Sequence, residues 1–186
     1  GGVVAGRYLA AKLGGGGNVA VIEGISGHET ADQRRLGFLD GLRTSPGIHV
    51  VASQTANWER ALAYNVAENL LQAHPEVDAI FAANDEMALG ALEAADAAGR
   101  LESIAIIGFD AIPDALENIR DGRLLGSVAQ FPSEMGRLGV QHAVELVRGG
   151  SMPPDEVLTK VEIIDLENLA AFEDSVAPAS DITEAQ

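Results

Sequence analysis

Residues 77–107, VDAIFAANDEMALGALEAADAAGRLESIAII, decide the fold. Val77 to Ala82 is a short apolar run that reads as a strand, Glu86 to Ala98 reads as a helix closed by Gly99, and Ile104 to Ile107 is a second short apolar run. Strand, helix and strand in such a span form a βαβ unit, because a helical crossover returns the chain to the same end and makes the strands parallel.

The same alternation extends outward on both sides. Toward the N-terminus, Trp58 to Ala73 reads as a helix with Leu62, Val66 and Leu70 spaced for one face, and His74-Pro75 ends it. Before it come a strand at Ile48 to Ala52 and a helix at Ala31 to Leu42 with Leu36, Leu39 and Leu42 on one side. Val19 to Ile22 is an apolar run typical of a strand buried on both faces. A first helix, Val3 to Leu13, carries Val4, Leu9 and Leu13 and stops at the run Gly14 to Gly17, read as a plain turn. Toward the C-terminus, Pro113 starts a helix that Gly122 ends, and Leu124 to Ala129 is another strand.

The fold class is therefore α/β: a doubly wound parallel sheet with helices on both faces. In such sheets ligands meet the loops at the carboxyl ends of the strands. After Gln130 the pattern changes. Pro132 to Arg148 reads as a helix with Met135, Leu138, Val144 and Val147 available for burial, Gly149-Gly150 breaks it, and Val161 to Ile164 is a further strand candidate. The expected division is a ligand-binding lobe over residues 1–130, a helix-and-strand segment over 131–172, and a flexible acidic tail over 173–186.

A formal charge of −16 with only 12 basic residues argues against nucleic-acid binding, which needs clustered Lys and Arg. With no cysteine there is neither disulfide nor thiolate chemistry. No apolar stretch approaches the roughly 20 residues of a membrane-spanning helix. The opening Gly1-Gly2-Val3-Val4 lacks Met, basic region and cleavage motif, so the expectation is a truncated N-terminus with any targeting signal upstream.

Familiar catalytic signatures do not fit. The glycine run precedes a strand and lacks the Lys-Ser/Thr of a P-loop. In Gly24-Ile25-Ser26-Gly27-His28 the second glycine falls one place too early for a nucleophile elbow. His49, His74 and His142 show no metal-ligand spacing. No metal or cofactor is expected, and no enzymatic activity.

The residues that follow the strands form a different constellation. Arg34 stands beyond the first loop, and Trp58, Asn84, Asp110 and Gln130 follow or close the next four strands. One cation, one aromatic, one carboxylate and two amides suit sugar recognition. Hydroxyls both donate and accept, and an aromatic face covers the C–H side of a sugar ring.

The stretches Leu70-Leu71-Gln72-Ala73-His74-Pro75, Ala83-Asn84-Asp85-Glu86-Met87-Ala88-Leu89-Gly90-Ala91-Leu92, Ile107-Gly108-Phe109-Asp110 and Ser127-Val128-Ala129-Gln130 resemble the ribose-binding protein family, the type I periplasmic receptors of sugar ABC transporters. The likeness spans roughly residues 1–170. It implies ligand-hydroxyl binding by Arg34, Asn84 and Asp110, a hinge-side glutamine at Gln130, and an aromatic wall at Trp58. In the family Gln130 matches ribose receptors whereas tryptophan at position 58 is commoner in hexose receptors, so pentose and hexose both stay open.

The resemblance further implies a periplasmic or extracytoplasmic location, an ABC transporter permease as partner, and hinge closure on a monosaccharide. It also implies an N-terminal lobe absent from this chain, on which the 131–172 segment would normally pack. The chain alone is then expected to bind sugar weakly or to cover that face by self-association. Two stretches also occur in sugar-responsive repressors of the lactose-repressor kind, so the effector core of a repressor is the alternative, and a signalling receptor shares the fold. Gln130-Phe131-Pro132 resembles the transport receptors.

Overall fold

The computed structural model describes residues 1–176. Six strands, β1 (Gly16–Glu23), β2 (Gly47–Thr55), β3 (Ala79–Ala82), β4 (Ala105–Phe109), β5 (Gly126–Gln130) and β6 (Val161–Ile164), form one sheet in the order β2-β1-β3-β4-β5-β6. The first five are parallel. The helices are α1 (Gly2–Lys12), α2 (Glu29–Leu42), α3 (Arg60–Ala73), α4 (Asp85–Ala97), α5 (Pro113–Arg120), α6 (Pro132–Val147) and α7 (Leu169–Val176).

The apolar runs fall where a two-face-covered sheet needs them. Val19 to Ile22, Ile80 to Ala82, and Ile106 and Ile107 have no exposed surface. Strand order reverses at β1, whose two neighbours are β2 and β3, which opens a crevice at the carboxyl ends of the strands. Helices α1 and α2 pack together, as do α3 and α4. Phe38 of α2 stacks on Phe81 of β3, ring centroids 4.2 Å apart.

The helix faces differ from the leucine stripes read in the sequence. In α2 the buried residues are Ala31, Phe38, Gly41 and Leu42, while Leu36 is 54% exposed. In α3 they are Ala63, Ala67, Leu70 and Leu71, and Leu62 is exposed. Small residues line these faces because the helices approach at backbone distance. A Cβ at Gly6 of α1 would overlap the Phe38 carbonyl, and one at Gly90 of α4 would overlap the Arg60 carbonyl.

Several expected boundaries move. Gly16 and Gly17 are not turn but the first residues of β1. Helix α3 begins at Arg60, so Trp58 stands in the turn before it. The division at residue 130 does not hold for the sheet, since β6 pairs antiparallel with β5, Ile164 against Ser127, and Ile164 is fully buried. The Tyr8 hydroxyl donates to Asp165 at 2.7 Å, tying the end of β6 to α1. Residues 173–176 are not tail but the last part of α7, and Arg120 of α5 bonds Glu173; residues 177–186 lie outside the described residues. Among the described α-helices, α6 alone has no buried residue.

Candidate functional site

The parallel strands deliver all five predicted site residues to one edge. The β1–α2 loop leads to Arg34, β2 to Trp58, β3 to Asn84, β4 to Asp110, and β5 ends at Gln130. All five are half-buried. The Arg34 guanidinium is the hub. Nη1 donates to the Ala83 carbonyl at 2.7 Å and Nη2 to Asp110 Oδ1 at 2.9 Å. Its Cζ lies 3.9 Å from the Phe109 ring centroid and 5.5 Å from that of Trp58, so the cation rests on two aromatic faces.

Asp110 Oδ1 also accepts from Gln130 Nε2 at 2.8 Å. With both donors on Oδ1, Oδ2 remains for a further donor. The ion pair is partly open, the Arg34 and Asp110 side chains being 13% and 32% exposed. Asn84 caps α4: its Oδ1 accepts from the Met87 N–H at 2.9 Å, and its Nδ2 points to the Trp58 carbonyl at 3.4 Å. That Nδ2 bond is long, which leaves the amide available to a better acceptor.

Arg34, Trp58, Asn84 and Asp110 line one depression together with His28 and Thr30. Its volume of about 200 Å³ is below the roughly 300 Å³ at which small-molecule pockets begin, and it is open. Gln130 joins through its bond to Asp110 and does not itself line the depression.

Backbone strain concentrates here. Among the described residues the non-glycine positions with positive φ are Asn57 (53°), Trp58 (69°), Asp110 (112°) and Ala111 (54°). Each such position costs about 1–3 kcal/mol and persists only where its surroundings hold it. Gly24 supplies part of the holding, because a Cβ there would overlap the Trp58 indole. The Gly24 to His28 segment read as a simple loop is thus the seat of the tryptophan, and His28 meets the indole edge-on at 6.2 Å.

Sequence reasoning missed His28, Thr30, Phe109, Arg60 and the pair Asp85 and Ser127. Arg60 bonds Glu86 at 2.8 Å and Asp114 at 3.0 Å, joining the starts of α3, α4 and α5 around the rim. Asp85 and Ser127 are the buried polar side chains of the described core. Burial pushes the Asp85 carboxyl up to about 7, and the Asp110 charge adds to the rise, against hydrogen bonds from Ser127 and the Ile112 backbone that lower it. A polar residue inside the apolar strand Gly126–Gln130 was the available signal for Ser127.

Comparison with known proteins agrees with this architecture. The chain is 42% identical to the ribose import binding protein of Salmonella typhimurium over 149 residues, covering 80% of this chain and 50% of that protein. It is 35% identical to the D-allose-binding periplasmic protein of Escherichia coli K12 over 159 residues, covering 85% of this chain and 51% of that one. An ABC transporter periplasmic solute binding protein from Actinobacillus succinogenes 130z, solved with bound D-allose, superposes with a TM-score of 0.87 at 36% identity, over 92% of this chain and 60% of that structure. The chain therefore spans about half the length of the curated relatives it matches. The sequence profile described as periplasmic binding protein domain matches residues 1–151, and the chain belongs to that family.

Proposed function

We propose that this chain carries one wall of the ligand cleft of a monosaccharide receptor, which acts outside the cytoplasm and hands its sugar to an ABC transporter permease. The observation that carries the reading is the meeting of a cation, a carboxylate, two amides and an indole at one strand edge. The set supplies donors, acceptors and an apolar face in fixed geometry, as a ring of vicinal hydroxyls requires. In the whole receptor a second wall closes on the ligand, and contacts from both walls favour the closed state over the open one.

Sugar-binding relatives support the transport reading over the repressor core, since they are import and periplasmic binding proteins by name. The relatives are equally named as binding proteins, not as enzymes. Ribose and allose, named in those relatives, make pentoses and aldohexoses the first ligands to try.

The exposed face of α6, with Val140 66% and Val147 89% exposed, is proposed to pack on the part of the receptor outside this chain, and on a second copy when the chain is alone. Fluorescence of Trp58, the sole tryptophan, titrated with pentoses, hexoses and polyols tests the ligand class. A saturable response that Asp110→Ala weakens by about 1.5–3 kcal/mol is expected; no response to any sugar overturns the reading.

A further inference from the structure

Asp85 has no exposed surface, yet it follows Asn84 directly at the start of α4. Its two oxygens are both engaged. Oδ1 accepts from the Ser127 hydroxyl at 2.7 Å and Oδ2 from the Ile112 N–H at 2.9 Å. The Ser127 oxygen in turn accepts from the Ala111 N–H at 3.0 Å. Two buried side chains therefore take the N–H groups of the two residues that follow Asp110.

That is where the backbone leaves the sheet. The Asp110 N–H still pairs with the Val128 carbonyl at 2.8 Å, but φ turns to 112° at Asp110 and 54° at Ala111. Neither residue adopts such angles readily, and the N–H groups of Ala111 and Ile112 meet side chains instead of the β5 backbone. Gly108 is part of the same fitting, since a Cβ there would overlap Asp85 Oδ1. Without the Asp85 and Ser127 acceptors the Ala111 and Ile112 N–H groups would lose their partners, and a relaxed turn would swing the carboxylate away from Arg34 and Gln130.

We propose that Asp85 and Ser127 are positioning residues that hold the strained turn at Asp110–Ala111 and so aim the Asp110 carboxylate into the ligand site. The proposal rests on the receptor reading for its functional meaning. A buried carboxylate is expensive to desolvate and contributes little as mere core filling, so its presence beside a serine here is accounted for by the turn it supports. Neither residue touches the ligand in this account. Their effect passes entirely through Asp110.

The test uses the full 186-residue chain with Asp85→Asn and Ser127→Ala, each alone and combined with Asp110→Ala. Titrations with D-ribose and D-allose are read by Trp58 fluorescence, and amide hydrogen exchange is read by NMR without ligand. In Ser127→Ala the Ala111 amide loses protection while the core amides of β1 and β3 keep theirs. Affinity falls about tenfold, the scale of one misaligned charged hydrogen bond, and adding Asp110→Ala then costs much less than it does in the parent chain.

Unchanged exchange at Ala111 and Ile112 overturns the proposal, and so does an affinity loss that leaves the Asp110→Ala effect at full size. Ser127→Ala is the milder change and decides the matter alone if Asp85→Asn does not fold. If the parent chain answers neither of these nor any other sugar of the pentose, hexose and polyol panel, the receptor reading falls. The exchange arm still judges the turn: loss of protection at Ala111 and Ile112 together with a shifted Arg34 guanidinium resonance supports positioning, and their retention overturns it.

Discussion

Replacing Asp110 by glycine and by alanine separates the function of its carboxylate from the conformation of its backbone. Both changes remove the partner of Arg34 and of Gln130, so the lost ion pair cancels between them. What differs is the fit to φ 112°, which alanine tolerates poorly and glycine freely. Relief of a strained position is worth about 1–3 kcal/mol. Glycine gives back about 0.4–1 kcal/mol through the greater freedom of its unfolded chain. The glycine variant should therefore be the more stable by roughly 0.5–2 kcal/mol. With a urea slope of about 1–3 kcal/mol/M, its unfolding midpoint should lie about half a molar higher, while both variants lose sugar binding. An alanine variant as stable as the glycine variant, or more so, would refute the claim that strain is stored at Asp110.

Further outcomes follow from other parts of the site. Gly24→Ala drives a Cβ into the Trp58 indole, so the emission of this tryptophan should shift and stability should fall by about 1–3 kcal/mol, checked by fluorescence-monitored denaturation. Asp85 is raised from 3.8 to about 7 by burial, so between those values the folded chain holds a proton that the unfolded chain has released. Its contribution to stability is full below about pH 4 and is lost as pH rises through 7, at up to about 1.4 kcal/mol per pH unit. Asp85→Asn should abolish that slope in urea titrations at stepped pH; an unchanged slope would contradict the assignment. The chain should associate as its concentration rises, and Val140→Glu with Val147→Glu should return it to a monomer in sedimentation velocity. Micromolar or tighter sugar binding by a strictly monomeric parent chain would contradict the role given to α6.

The inner strands were legible because burial on both faces favours unbroken apolar runs, as at Val19 to Ile22, whereas the edge strand β2 is not buried. The helices were legible as helices but not in their facing. Leu36 and Leu62 look like core residues, yet Gly41, Ala63 and Ala67 are buried, because close helix approach selects for small side chains and pushes large ones outward. Sequence spacing cannot show how near two helices come. The antiparallel pairing of β6 with β5 depends on a return across some thirty residues, and short-range patterning carries no trace of it. Helix α7 was hidden for a similar reason: its single buried residue, Leu169, gives it no stripe.

The site was legible to the extent that it follows from topology. In a parallel sheet the residues after each strand share an edge, which is why Trp58, Asn84, Asp110 and Gln130 meet there. The supports behind them were not. Nothing in the letters distinguishes Asp85, fully buried, from Glu86 beside it, which faces Arg60. The positive φ values at Trp58 and Asp110 are likewise invisible, since neither residue type announces that conformation.

The most direct test is to map a sugar titration onto the labelled chain by NMR. With D-ribose or D-allose, saturable shifts should gather on Trp58 Nε1, Asn84 Nδ2, Gln130 Nε2, the Arg34 guanidinium and the backbone from Asp110 to Ile112, and Asp110→Ala should remove them. Shifts scattered over the amino-terminal ends of the strands, or none at any attainable sugar concentration, would contradict the account.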